Sequence, residues 1–191
     1  MINISQLDKT FRQSSGSCVL ASYSIAANYF TGLPVQSFFD AYCRHHKVPT
    51  SYQSPEQVYS NHFNTLINAP GQNGYRIILS LHETSNEPEF EKARAFFSCE
   101  FIPVASVLLP RLESTLQKEV SLLNLTVGHE VLSGSIMSPV RQLICHSVTL
   151  FHDGVSLHTR DTDKDPGQNI TPVVSLSSFA QTRDAVLYCK R

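Results

Sequence analysis

The segment CHSVTLFHDGVSLHTRD, residues 145–161, constrains the fold of this 191-residue chain more than any other stretch. Two runs of alternating apolar and polar residues flank an Asp-Gly pair at 153–154. Asp-Gly is favoured in two-residue hairpin turns, because a type I′ turn needs positive φ at both central positions. The segment therefore predicts an antiparallel β-hairpin with a two-residue loop.

The predicted hairpin brings an imidazole and a carboxylate together. With a two-residue loop, His146 lies opposite Asp161 on a mostly apolar face. Opposed Cβ atoms are about 5 Å apart, so the carboxylate can accept a ring N–H and raise the basicity of the imidazole. A three-residue loop would break this register, and Asp163 is the alternative partner on the same face if the loop differs. His152 and Asp153, at the turn, are expected to be solvated.

A second candidate group lies near the start of the chain, in RQSSGSCVLASYSIAANYF, residues 12–30. The second half of this stretch predicts a helix that begins near Ser17 or Cys18 and ends near Phe30, before Gly32 and Pro34. The positive end of a helix dipole favours the reactive thiolate, and the small residues before the helix leave room for a substrate carbonyl. A buried structural thiol is the alternative interpretation of Cys18.

The other cysteines have the features of structural thiols. Cys99, Cys145 and Cys189 lie in or beside apolar segments. Cys145 adjoins His146, but neighbours on a strand point to opposite faces, so it is a poor partner for that ring. Five widely spaced cysteines without an export signal predict reduced thiols in a cytoplasmic protein. Export without a signal peptide, as for injected bacterial effectors, is the alternative.

Together the two segments resemble the papain-like cysteine peptidase superfamily, most of all its bacterial bacteriocin-processing peptidase domains and injected effector proteases. QSSGSCVLAS near the start and CHSVTLF…GVSLHTRD downstream carry the resemblance. It implies Cys18 as nucleophile, His146 as general base, Asp161 as the carboxylate that orients the imidazole, and Gln13 in the oxyanion hole. Papain-type sequences usually place the Gln six residues before the Cys, whereas here the spacing is five.

The order of predicted elements indicates an α+β fold. Helices are predicted at 35–46, 87–99 and 112–125, and a further helix begins at Pro55 with Ser54 as its N-cap. Residues 74–81 have the composition of a strand, although a buried helical turn fits them as well. The resemblance makes the chain one papain-like catalytic domain, 1–191. It would have a helical part at about 1–125 and an antiparallel β-sheet part at about 126–191.

Composition excludes several classes of function. A net charge of −1 gives no electrostatic footprint for nucleic acid, and no apolar run approaches the length needed to span a membrane. A metal site at 43–46 with His62 is disfavoured because no second pair of ligands has zinc spacing. The segment 161–169 resembles a calcium loop, but its glycine is one place late and the closing Glu is absent. No cofactor and no metal are therefore expected.

The predicted function is that of a papain-like thiol hydrolase acting on a protein or peptide substrate. Peptide-bond cleavage is the first choice of reaction. A protein-glutamine deamidase or a transglutaminase would use the same three groups on a side-chain amide. An inactive papain-like fold that serves as a binding module is the alternative from another class.

Overall fold

The computed structural model describes residues 1–14, 16–103, 105–135, 138–179 and 184–191, and gives the backbone alone at 106, 128–135 and 138–145. In these parts of the chain the helices are α1 Cys18–Thr31, α2 Val35–His45, α3 Pro55–Ile67, α4 Gly74–Thr84, α5 Pro88–Phe96 and α6 Leu109–Lys118. The strands are β1 Phe97–Ile102, β2 Ser121–Ser135, β3 Ser138–His152, β4 Leu157–Arg160, β5 Ile170–Val173 and β6 Ala185–Lys190. The predicted α+β class is confirmed.

The strands form one antiparallel sheet in the order β1-β6-β2-β3-β4-β5. Every neighbouring pair in that order runs antiparallel. The sheet is therefore not a series of consecutive hairpins, because β6 lies between β1 and β2. No helix in the described ranges is long and apolar enough to cross a bilayer.

Both faces of the sheet are covered. Successive strand residues point to opposite faces, so Leu122 packs with the aromatic core around α1 while Leu123 packs with Leu112 and Leu116 of α6. Helix α1 lies at the centre of the larger core, and nine of its 14 residues are buried. A helix that is apolar on all sides is expected in such a position. The residue that opens α1 is thereby fixed against the sheet.

The predicted helix ends are largely confirmed. Helix α1 begins at Cys18 and is closed by Gly32, whose φ of 72° is left-handed and whose N–H donates to the Asn28 carbonyl. Helix α2 matches its predicted range closely. Ser54 caps α3 by accepting the Gln57 N–H, and Pro55 takes the first helical position.

Residues 74–81 are helical, not a strand. Asn73 precedes them, and its side-chain oxygen accepts the N–H groups of Tyr75 and Arg76, which starts α4. Five side chains of α4 are buried: Tyr75, Ile78, Leu79, Leu81 and His82. All but Leu81 follow the spacing of one helical face. The strand-like composition misleads because this helix is buried against the core, where aliphatic residues are favoured in any element.

Two predicted helices extend too far. The helix predicted for 87–99 ends at Phe96, and Phe97 begins β1. The helix predicted for 112–125 ends at Lys118, and Ser121 begins β2. A strand covered on both faces is apolar at consecutive positions, so its sequence lacks the alternation that separates strand from helix. One strand, β1, therefore lies inside the part predicted to be helical.

Candidate active site

Cys18 is the first residue of α1, as the sequence predicts. Ser17, the residue before it, makes no side-chain hydrogen bond to the helix N-terminus. Its hydroxyl donates instead to the carbonyl of Ser14 at 3.0 Å and to Oε1 of Glu56. The Ser17 side chain therefore does not cap the first N–H groups of α1.

Glu56 fixes the loop that precedes the cysteine. The carboxylate lies in the first turn of α3 and accepts both the Ser14 N–H and the Ser17 hydroxyl. Gly16, between these two serines, has a φ of 84°, which favours glycine. Sequence reasoning missed Glu56, because the contact joins residues 39 and 42 positions apart and leaves no local pattern.

His146 and Asp161 form the predicted pair. The ring Nε2 lies 2.7 Å from Oδ1 of Asp161, and the two side chains are only 16% and 20% exposed. Asp161 Oδ1 also accepts the backbone N–H of Asp163, so Asp163 is not the partner of the ring. Since Nε2 is occupied, Nδ1 is the ring nitrogen left to face the Cys18 thiol.

The register that produces this contact differs from the predicted one. His152 pairs with Leu157, so the loop is four residues long, 153–156, and the prediction that His146 lies directly opposite Asp161 is wrong. The pairing is displaced by two residues, and an even displacement keeps every side chain on its predicted face. His146 therefore contacts Asp161 along a diagonal, just beyond the end of β4.

The four-residue loop at 153–156 is stabilised by hydrogen bonds to the side chain of Asp153. Asp153 Oδ1 accepts the N–H groups of Val155 and Ser156 at 2.8 Å each, and Oδ2 lies 2.9 Å from Nε2 of His158. The two backbone N–H groups and His158 lower the pKa of Asp153 to about 2. The expectation of a freely solvated Asp153 is therefore wrong, because its carboxylate replaces the tight turn predicted from Asp-Gly.

The electrostatics of the site favour a charged imidazole. Burial opposes the positive charge of His146, but the hydrogen bonds that the ring makes to Asp161 and Cys18 outweigh it and raise the pKa of His146 to about 10. Burial acts to raise the pKa of Asp161, yet the contact with His146 and the Asp163 N–H leave that pKa below its ordinary value. At neutral pH the geometry therefore holds a protonated imidazole between the Asp161 carboxylate and the Cys18 sulfur.

Replacing Asp161 with Asn is expected to lower the pKa of His146 well below 10, because the raising contribution of the carboxylate is lost while burial remains. The ring proton shifts of His146, followed by NMR from pH 5 to 11, measure this change. Because folding raises the pKa of His146, protonation of this ring stabilises the folded state. The contribution of a protonated His146 is full below about pH 6.5 and is lost as the pH rises through about 10.

The matched control for this titration is Asp163→Asn, which removes a neighbouring carboxylate that does not contact the ring. The His146 titration is expected to stay near pH 10 in that variant. A His146 that titrates near pH 6.5 in the parent protein would contradict the ion pair.

Gln13 lies beside the strand that carries the aspartate. Its N–H donates to the carbonyl of Thr162 at 2.8 Å, and its side-chain Oε1 accepts the Thr162 hydroxyl. Because the amide oxygen is occupied, the NH₂ group is the part of the side chain left to donate. The structure thus connects Gln13 to the residue after Asp161, and its role in an oxyanion hole stays a prediction.

A buried arginine connects the two segments of the site. Arg160 is fully buried and donates to three carbonyls, those of Asp8, Phe11 and Asp161. Burial lowers the pKa of this guanidinium to about 10. Sequence reasoning missed Arg160, because an arginine near a strand end usually indicates an exposed position.

Two cavities flank the cysteine and the histidine. One, of about 390 Å³, is lined by Cys18, Phe63 and Asp184 among others. The other, of about 500 Å³, is lined by His146 and Asp161, with a mainly apolar wall. Successive residues of β2 line them, Thr126 the first cavity and Val127 the second. No residue that the structure describes lines both cavities, and the first is lined by the thiol of the candidate site while the second is lined by its imidazole and carboxylate.

Among the side chains that the structure describes, no other cysteine or histidine lines either cavity. Burial raises the pKa of Cys43 and of Cys189 to about 11, and raises the pKa of Cys99 further. The side chain of Cys145 lies outside the described residues. In the described portion of the chain, no group of three or more His, Cys, Asp and Glu side chains is arranged to hold a metal. His46, which follows α2, packs instead against His62, with ring centroids 4.8 Å apart.

No protein-family model matches the chain, and neither does any curated protein or solved structure. The chemical interpretation of Cys18, His146 and Asp161 therefore depends on their geometry and on the physical chemistry of the three groups.

Proposed function

We propose that the chain is a papain-like cysteine peptidase that hydrolyses peptide bonds with Cys18, His146 and Asp161. The observation that carries the proposal is the imidazole held between a thiol at a helix N-terminus and a carboxylate. The architecture supports it, because the cysteine opens the central helix, His146 lies on β3 of the sheet packed against that helix, and Asp161 directly follows β4. The proposed partner is a protein or peptide substrate.

In the proposed reaction, the Cys18 sulfur attacks the scissile carbonyl carbon and forms a tetrahedral intermediate. The proton held by the imidazolium of His146 passes to the leaving amine as the C–N bond breaks, which leaves a thioester on Cys18. Water then attacks the thioester while His146 takes a proton from it, and the acid is released with the thiolate restored. Asp161 keeps the ring oriented and stabilises its positive charge in both steps.

The developing oxyanion needs donors aimed at one point. The N–H of Cys18 and its neighbours at the start of α1 supply them, because Ser17 does not cap this end with its side chain. The amide NH₂ of Gln13 is the proposed second donor, with its oxygen engaged by Thr162. Glu56 contributes indirectly by fixing the loop from Ser14 to Ser17.

The presence of two cavities, one lined by Cys18 and the other by His146, favours an extended peptide over a single side-chain amide. A substrate chain that crosses the Cys18–His146 contact can place one side chain in each cavity. A deamidase needs only one pocket, closed around a glutamine side chain. The second cavity, of about 500 Å³ and lined by His146, would not contact such a substrate. Peptide hydrolysis is therefore the preferred reaction of this thiol.

Alkylation with iodoacetamide at pH 6 tests the reactive thiol. Cys18 is expected to be labelled well before Cys43, Cys99 and Cys189, because burial raises the pKa of each of those three thiols and leaves almost no thiolate at pH 6. Peptide mapping by mass spectrometry measures the label at each position. His146→Ala is the control and should slow the labelling of Cys18 alone.

Equal labelling of Cys18 and Cys43 at pH 6 would remove the reactive thiol from the proposal. That result would favour the inactive binding module, in which Cys18 is a structural residue that starts α1.

A further inference from the structure

The cavity beside the nucleophile contains one charged side chain. Its described lining is built mainly from α1, α3 and the start of α4, together with Thr126 of β2 and Asp184, the residue before β6. Apolar side chains form much of the wall: Val19, Phe63, Ile67 and Tyr75. Asp184 is the one Asp, Glu, Lys, Arg or His among the lining residues that the structure describes.

The carboxylate of Asp184 is held in place by Asn73. The side-chain oxygen of Asn73 caps α4 by accepting the N–H groups of Tyr75 and Arg76. Its NH₂ group must therefore point the other way, and it donates to Oδ2 of Asp184 at 2.6 Å. The carboxylate is thus oriented by a residue whose own position is fixed by the helix.

No protein cation within the described ranges neutralises this carboxylate. The ion pairs of those residues use other acids: Asp153, Asp161, Asp165, Glu87 and Glu89. The N–H groups at the start of α4 are satisfied by Asn73, so Asp184 does not serve as their direct cap. A negative charge at the edge of an apolar cavity, with one oxygen left to accept, favours a cationic ligand.

The shape of the cavity selects among cations. A lysine or arginine side chain has an aliphatic stem that packs on apolar walls and a charged end that donates hydrogen bonds. The apolar residues of this cavity would contact such a stem, and Asp184 would accept from its charged end. Cys18 lines the same cavity, so the residue that carries this side chain must lie next to the bond that Cys18 attacks.

We infer that Asp184 is a specificity-determining residue that selects substrates with Lys or Arg beside the scissile bond. The inference rests on the proposed peptidase function and narrows it to one substrate class. The second cavity, with Val148, Val173 and Phe179 in its wall, would take an apolar residue on the other side of the bond.

A synthetic peptide library tests this specificity on the full chain. Each position flanking a scissile bond carries Lys, Arg, norleucine, Gln or Glu, and mass spectrometry measures the rate at which each peptide is cleaved. At one flanking position, Lys and Arg are expected to be preferred over norleucine by about tenfold to a hundredfold, as for a charge-assisted hydrogen bond in a partly desolvated site. Norleucine is the matched comparison, because it keeps the stem of lysine and lacks the charge.

Two variants assign the preference to the carboxylate. Asp184→Asn can still accept from Asn73 but carries no charge, so the ratio of Lys to norleucine should fall close to one. Asp184→Lys should shift the preference towards Glu. Asp163→Asn is the control, since its carboxylate lines neither cavity, and it should keep the preference of the parent.

The outcomes separate the inference from the function on which it rests. Cleavage by the parent without a preference for Lys or Arg, or a preference that survives in Asp184→Asn, would overturn the role of Asp184 and leave the peptidase intact. The first of these results needs no variant to fold. If the parent cleaves no peptide although Cys18 is alkylated rapidly, the peptidase proposal itself fails.

Discussion

Cys18→Ala is expected to lower the rate of peptide hydrolysis by about 10⁴-fold or more, because no other group in the site can form the thioester. His146→Ala should cost about as much, since the thiol then loses the group that holds its proton. The double variant should be no worse than either single one, because residues that act as a unit are not additive in their effects. Initial rates on a peptide that the parent cleaves measure all three variants.

The control for this series is Cys43→Ala, which removes a buried thiol on α2 outside both cavities. Its rate should match that of the parent. Asp161→Asn should reduce the rate less than Cys18→Ala or His146→Ala, because Asp161 orients the ring and forms no bond to substrate. Equal activity in Cys18→Ala and the parent would end the proposal of a cysteine enzyme.

Arg160→Met is expected to destabilise the fold by about 3 kcal/mol or more, because it removes a buried guanidinium and leaves three carbonyls without their donor. The guanidinium is fully buried, so solvent does not screen these contacts. Urea unfolding followed by circular dichroism measures the loss. The same variant should also reduce peptide hydrolysis, since Arg160 fixes the backbone of Asp161 and the segment that leads to Gln13.

Arg12→Met is the matched control for Arg160→Met. Its ion pair with Asp165 is more than half exposed on both sides, and exposed pairs contribute at most about 1 kcal/mol. Arg160→Lys keeps the charge but not the three-way geometry, and it serves if the Met variant does not fold. An Arg160→Met protein that unfolds at the urea midpoint of the parent would show that these hydrogen bonds add nothing to stability.

Local sequence patterns predicted the features that depend on neighbours along the chain. The start of α1 at Cys18 and the cap at Ser54 were predictable because caps and glycine stops act within a few residues. The hairpin was predictable from its alternation. Its register was not, because Asp153 bonds to the backbone of its own loop and adds two residues to the turn. His146 and Asp161 are nevertheless in contact, because the observed register differs from the predicted one by two residues and each side chain stays on its predicted face.

Features that depend on distant contacts were not predictable. Glu56 and Arg160 act on segments 39 to 152 residues away, and nothing beside them in the sequence marks that role. The helix predicted at 112–125 was too long for the same reason, because contacts with distant residues make its last part a strand. Leu122 and Leu123 are both buried because separate cores cover the two faces of β2. That arrangement is a property of the assembled sheet.

The position of β6 between β1 and β2 affects when the site around Cys18 can assemble during protein synthesis. During synthesis Cys18 is made first, and more than a hundred residues follow before His146 and Asp161 exist. The sheet that supports those two residues becomes continuous only when Ala185–Lys190 enters its interior. Such long-range pairing is slow, so the nascent chain lacks the assembled site at least until residues 185–190 have been synthesised.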